Sequence, residues 1–128
     1  MGKSLLIVDD DKTVRNLISG YLDKIPKFTV IGQAVDGEDA VEMAVRLEPD
    51  AIILDLVMPK MNGVDAAERI RQALPQTVIV VFTSHDSTNL RKHIDGNIDA
   101  IVSKAEGLEK LATELNRLLF GRALAGKP

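Results

Sequence analysis

Five short apolar runs punctuate the chain, and each is followed by polar or turn-forming residues. Residues 4–8, 28–34, 51–54, 77–82 and 98–103 are too short for helices and rich in β-branched side chains, so they read as strands. Between them the apolar positions change to a helical spacing. Val14, Leu17, Ile18, Tyr21 and Leu22 predict a first helix that starts at Asp11 or Lys12, and Ala40, Val41, Ala44, Val45 and Leu47 predict a second after the Asp36-Gly37 loop signal. Val64, Ala67, Ile70, Arg71 and Leu74 mark a third, between the Asn62-Gly63 turn and Pro75. Residues 86–95 are polar, with Leu90 and Ile94 as anchors, and predict a short, loosely held fourth helix. Leu108, Leu111, Leu115, Leu118 and Leu119 predict a final amphipathic one.

Strands alternating with helices on short connections require a parallel sheet, right-handed crossovers and helices on both faces. The expected fold is therefore α/β: a flavodoxin-like, doubly wound five-stranded parallel sheet of order 2-1-3-4-5 with five helices. One domain is expected over residues 1–120. Residues 121–128, small and polar, read as a C-terminal tail or the start of a linker.

Composition changes this picture only by exclusion. At 128 residues, 45% hydrophobic and 27% charged, the chain is long enough for one domain with a real core. A net charge of −3 leaves no basic footprint, which disfavours direct binding to nucleic acid or an anionic membrane. The absence of cysteine excludes disulfides and thiolate chemistry. No run is long enough to span a bilayer, and the first one breaks at Asp9, too early for a signal peptide, so the cytosol is expected.

The chemistry concentrates where strands end. The first strand runs into Asp9-Asp10-Asp11, the third into Asp55, the fourth into Thr83-Ser84 and the fifth into Lys104. In an open α/β sheet the carboxyl ends of the strands border the ligand crevice, so these side chains are expected to converge there. Carboxylates that close repel and raise one another's pKa unless a cation neutralises them, and hard oxygen ligands suit Mg²⁺ or Mn²⁺. Singly, each residue has a plain alternative: a helix cap for Asp11, a solvated strand end for Asp55, a surface position for Lys104. Together, acids, a hydroxyl and an amine describe a site for a metal-bound phosphoryl group, with a carboxylate able to act as acceptor.

The acidic pair that closes Ile7-Val8-Asp9-Asp10, Leu54-Asp55 followed by Met58-Pro59 and Asn62-Gly63, the Thr83-Ser84 pair and Ser103-Lys104 together resemble the receiver domains of two-component response regulators, the CheY-like superfamily. The resemblance runs from Ser4 to about Phe120. It implies that Asp55 is the phosphoacceptor, taking its phosphoryl group from a histidine kinase, a phosphotransfer protein or a small phosphodonor. It implies further that Asp10 and Asp55 ligate Mg²⁺ with the backbone carbonyl of Val57, that Asp9 acts mainly through water, and that Thr83 and Lys104 bind phosphate oxygens. The fourth helix, fifth strand and fifth helix would form the face for a partner protein or a second copy, with Ser84 and Ile101 in the switch. Val57 and His85 would flank the acyl phosphate and set its lifetime. Two positions depart from the family pattern: Ile101 stands where an aromatic is frequent, and Ala105 where a cis proline is common.

Three other readings share parts of this pattern. An aspartate-nucleophile phosphatase wants a second Asp two residues after the nucleophile, where Val57 stands. A flavin mononucleotide carrier wants Ser, Thr and Gly after the first strand, not three acids. A receiver used as an unphosphorylated interaction module would not need the full set of site residues.

Overall fold

The computed structural model describes residues 2–58, 60–84 and 96–125, the last four through their backbone alone. Pro59, His85, the expected helix at 86–95 and residues 126–128 lie outside the described residues. The order is β1 (Lys3–Val8), α1 (Lys12–Leu22), β2 (Phe28–Ala34), α2 (Gly37–Leu47), β3 (Ala51–Leu54), α3 (Gly63–Ala73), β4 (Val78–Thr83), β5 (Ala100–Ser103), a 3₁₀ turn (Lys104–Glu106) and α4 (Gly107–Ala125). The strands form one parallel sheet in the order β2-β1-β3-β4-β5, as the alternating pattern requires. Four helices longer than a turn, rather than five, stand among the described residues.

The first three βα connections are each closed by a side chain suited to it. Asp11 caps α1 by accepting from the backbone N–H groups of Thr13 and Val14, Asp36 caps α2 and Asn62 caps α3. The strands then sort their side chains by alternation. Leu6 and Val8, with Ile52, Leu54, Ile79 and Val81, face α2 and α3. Leu5 and Ile7, with Ala51, Ile53, Val80, Phe82 and Val102, face Ile18 and Leu22 of α1 and Leu111 and Leu115 of α4. With both faces covered, the central strands are almost wholly apolar up to their last residue.

One expectation changes. The buried stripe of α1 is Arg15, Ile18 and Leu22, whereas Leu17 and Tyr21 are exposed. Hydrophobicity alone drew the stripe one position around the helix. The last helix also continues past Phe120 to Ala125, because Gly121 is followed by Arg, Ala and Leu, which favour helix. No break in secondary structure marks residue 121. Among the described residues no helix is long and apolar enough to cross a membrane.

Candidate functional site

Val8 and Leu54 are partners in the β1–β3 register, so the residues that follow them, Asp9 and Asp55, leave the sheet side by side. The Asp55 N–H donates to the Val8 carbonyl at 3.0 Å, extending the ladder to Asp55 itself. On the other side of β3, β4 ends at Thr83, whose register partner is Ser103 of β5, and Lys104 follows. Four adjacent strands thus deliver the acids, the hydroxyl and the amine to one edge.

Carboxylate oxygens of Asp9, Asp10 and Asp55 all lie within 4.8 Å of one another. Asp9 and Asp55 are buried, at 2% and 7% exposure, while Asp10 opens to solvent. Lys104 Nζ sits 2.8 Å from Asp9 Oδ2 and 3.5 Å from Asp55 Oδ2. Asp55 Oδ1 accepts from its neighbour's N–H, that of Leu56, at 2.8 Å, and the buried Thr83 at the end of β4 also favours the charged form of this carboxylate. Burial pushes the Asp55 carboxyl up from its ordinary value. Lys104 opposes the rise, the charge of Asp9 adds to it, and the Leu56 N–H and Thr83 pull the other way without cancelling it. For Lys104, burial alone would lower the pKa, but the hydrogen bond to Asp9 and the charges of Asp55 and Asp9 outweigh it and the ammonium is held up.

This donor set suits a hard divalent cation. Mg²⁺ takes one or two carboxylates and completes its octahedron with water and phosphate oxygens, and here two buried acids and one solvent-facing acid meet at an open edge. Val57, two residues after Asp55, turns its side chain outward at 55% exposure. Ser84 is exposed and Ile101 is half-buried against the α2–α3 core. No cis peptide bond occurs among the described residues, so the Lys104–Ala105 bond is trans. A cis bond without proline costs about 2.5–4 kcal/mol, and the turn closes instead through Ser103: its N–H donates to Glu106 Oε1 at 3.0 Å and its hydroxyl accepts from Ala105 N at 3.2 Å.

Two supports were not read from the pattern. Gly63 opens α3 directly against Asp55, and a Cβ there would collide with the Asp55 carbonyl and come within 2.7 Å of Leu56 Cα. The Asn62-Gly63 pair signalled a turn but not this close approach. Arg15 stands behind the acids at 9% exposure, donating from Nη1 to the Asp9 carbonyl at 2.7 Å and from Nε to Gln33 Oε1 at 3.2 Å. Its signal was present: a charged residue three and seven positions before Ile18 and Leu22, on the buried stripe of an amphipathic helix.

Comparison with known proteins agrees with this fold. Residues 5–116 match the family model described as the response regulator receiver domain. Response regulator protein VraR of Staphylococcus saprophyticus is 34% identical over 114 residues, covering 88% of this chain and 54% of that protein. A protein-glutamate methylesterase/protein-glutamine glutaminase of Geobacter metallireducens is 43% identical over 83 residues, which are 65% of this chain and 24% of that protein. Among solved structures, a LuxR-family two-component response regulator from Aurantimonas sp. SI85-9A1 superposes with a TM-score of 0.88 at 25% identity, covering 94% of this chain and 87% of the other. The response regulator domain of Thermotoga maritima CheB gives 0.81 at 27% identity over the full length of both chains. The chain spans little more than half the length of the VraR relatives it matches. A match that takes in all five strands and the edge where the acids meet puts this chain in the response regulator receiver domain family of two-component systems.

Proposed function

We propose that this chain works as a phosphoacceptor, with Asp55 receiving a phosphoryl group from the phosphohistidine of a histidine kinase or phosphotransfer protein, or from a small acyl phosphate. One observation carries the reading: a buried strand-end carboxylate with two further carboxylates within 4.8 Å and an ammonium 3.5 Å away. An Asp55 oxygen forms the new O–P bond as the P–N bond of the donor breaks. The electron pair leaves with the imidazole nitrogen, which takes a proton from solvent. Lys104 and the Thr83 hydroxyl favour the ionised form of Asp55 beforehand and are placed to donate to phosphoryl oxygens afterwards.

Asp9, Asp10, Asp55 and the Val57 carbonyl would hold Mg²⁺, with Mn²⁺ as an alternative, and the ion when bound neutralises charge on the transferring group. Asp9 and Asp10 also keep the edge anionic, so it accepts a phosphoryl group only together with a cation. The chain is a reaction partner rather than an enzyme for other substrates, and the cytosol is its expected place. Drawing Thr83 and Ser84 toward the new phosphate would pass the signal to β5 and α4, where a partner protein or a second copy would dock.

Incubation with Mg²⁺ and acetyl phosphate, read by intact mass, tests the reading. A single phosphoryl adduct in wild type that is absent in Asp55→Asn is expected. Wild-type protein that stays unmodified overturns it.

A further inference from the structure

Every polar atom of Asp9 is engaged. Its N–H donates to the Ala34 carbonyl at 3.2 Å, Oδ1 accepts from Asp11 N at 2.9 Å, Oδ2 accepts from Lys104 at 2.8 Å, and its carbonyl accepts from Arg15 Nη1 at 2.7 Å. That carbonyl belongs to the peptide unit joining Asp9 to Asp10. Asp10 itself is exposed and its side chain makes no hydrogen bond among the described residues, so the direction of its carboxylate depends on the backbone beneath it. Among the described residues Arg15 is the one hydrogen-bond donor to this carbonyl, and it stands on the buried stripe of α1 with Ile18 and Leu22.

The charge of Arg15 has no other evident use. Among the described residues no carboxylate lies within 4.0 Å of its guanidinium, and its two acceptors are the Asp9 carbonyl and the Gln33 amide oxygen. Burying an unpaired cation carries a large desolvation cost, and an apolar residue on this stripe would pack without it. What an apolar residue cannot supply is a short, charge-assisted bond to a carbonyl. The fork of the guanidinium also spans two acceptors at once, bracing the Asp9–Asp10 peptide against Gln33 on β2, which a lysine ammonium does less well.

We propose that Arg15 is a positioning residue for the metal-binding acids: by holding the Asp9 carbonyl it orients the Asp9–Asp10 peptide and thereby aims Asp10 at the site shared with Asp9 and Asp55. The inference rests on the receiver reading above. It assigns to a helix-core arginine the role that hydrogen-bonded partners behind metal ligands play elsewhere, where their loss typically weakens metal binding by about 10- to 100-fold.

Mg²⁺ alone is titrated calorimetrically into wild type, Arg15→Met and Arg15→Lys. Melting in chelator and amide exchange at Asp10 and Asp11 in chelator accompany the titration. Arg15→Met keeps an apolar stem on the stripe, so it is expected to weaken Mg²⁺ about tenfold, to speed exchange at both amides and to melt no lower than wild type. Arg15→Lys is expected to lose less in the same direction. A merely structural role would lower the melting temperature and leave the Mg²⁺ affinity unmoved. A Kd for Arg15→Met within twofold of wild type, or unchanged exchange at both amides, overturns the inference. Should Arg15→Met not fold, a Kd for Arg15→Lys equal to wild type does so. Wild type that binds no Mg²⁺ instead overturns the receiver reading on which the inference stands.

Discussion

Asp55 is asked to be buried and charged at once, and its environment only half resolves the conflict. Desolvation and Asp9 raise its carboxyl, while Lys104, the Leu56 N–H and Thr83 restrain the rise. A carboxyl whose folded pKa lies above its unfolded one binds the proton more tightly when folded. Stability therefore falls as pH climbs from the ordinary carboxylate range through the raised value, and the penalty is complete only above that value. Lys104 has the opposite use: held above its ordinary value, it contributes stability at neutral pH that is lost only as pH rises through its own raised value. Asp55→Asn removes the penalty and leaves Lys104 its 2.8 Å partner, Asp9. It should melt about 2–4 °C above wild type in chelator at pH 7, with the difference shrinking as pH falls toward 4. A variant that melts lower at neutral pH would show that Lys104 already offsets the burial. Val57 matters at a later step. Hydrolysis of an acyl phosphate at Asp55 needs a water held in line with phosphorus, and an outward-turned valine two residues away cannot hydrogen-bond one. Slow loss of phosphate is expected, and Val57→Asn should hasten it several-fold at fixed pH and saturating Mg²⁺; equal lifetimes would remove position 57 from control.

Elements place these residues by how they end, and α3 shows it best. Its cap Asn62 accepts from Asp65 N at 3.0 Å, and Gly63 donates to the Leu56 carbonyl at 2.8 Å, so the helix begins one residue from the backbone of Asp55. Gly63→Ala puts a methyl group against the Asp55 carbonyl, where only backbone could yield. A loss of about 1–3 kcal/mol in urea unfolding and slower phosphorylation by acetyl phosphate are expected, since the displaced atoms carry Asp55. Unchanged stability would mean that α3 shifts freely. The strands and their terminal chemistry were legible because a two-sided parallel strand is an unbroken apolar run, so the first polar residue marks the edge: Asp9, Asp55, and Lys104 after Ser103. Helix faces were less legible, because the pattern ranks residues by hydrophobicity and Arg15 is buried for its hydrogen bonds. Leu17 and Tyr21, equally apolar by type, lie off the packed face. The 3₁₀ turn after Lys104 escaped for another reason. Its capping box, Ser103 with Glu106, is a four-residue signature that begins inside what read as a strand end.

At the scale of the whole molecule, β1 and β3 are at once the centre of both cores and the carriers of Asp9 and Asp55. Leu6 and Ile7 are adjacent, fully buried and committed to opposite faces, Leu6 toward α2 and α3, Ile7 toward α1 and α4. Two cores that share their strands cannot melt apart without exposing the same backbone, so unfolding should be a single transition. Leu6→Ala and Ile7→Ala should each lower it by about 2–5 kcal/mol without splitting it. Because the acids stand on the shared strands, Mg²⁺ bound to them should lift that same transition as a unit. The gain follows RT ln(1 + [Mg²⁺]/Kd), or about 2.7 kcal/mol at a hundredfold excess over Kd. Both core variants should keep that full increment in urea melts, since neither touches a ligand, whereas Asp55→Asn should lose most of it. An increment retained in one core variant and lost in the other would mean that one face unfolds by itself and that the metal site is tied to only one of the two cores.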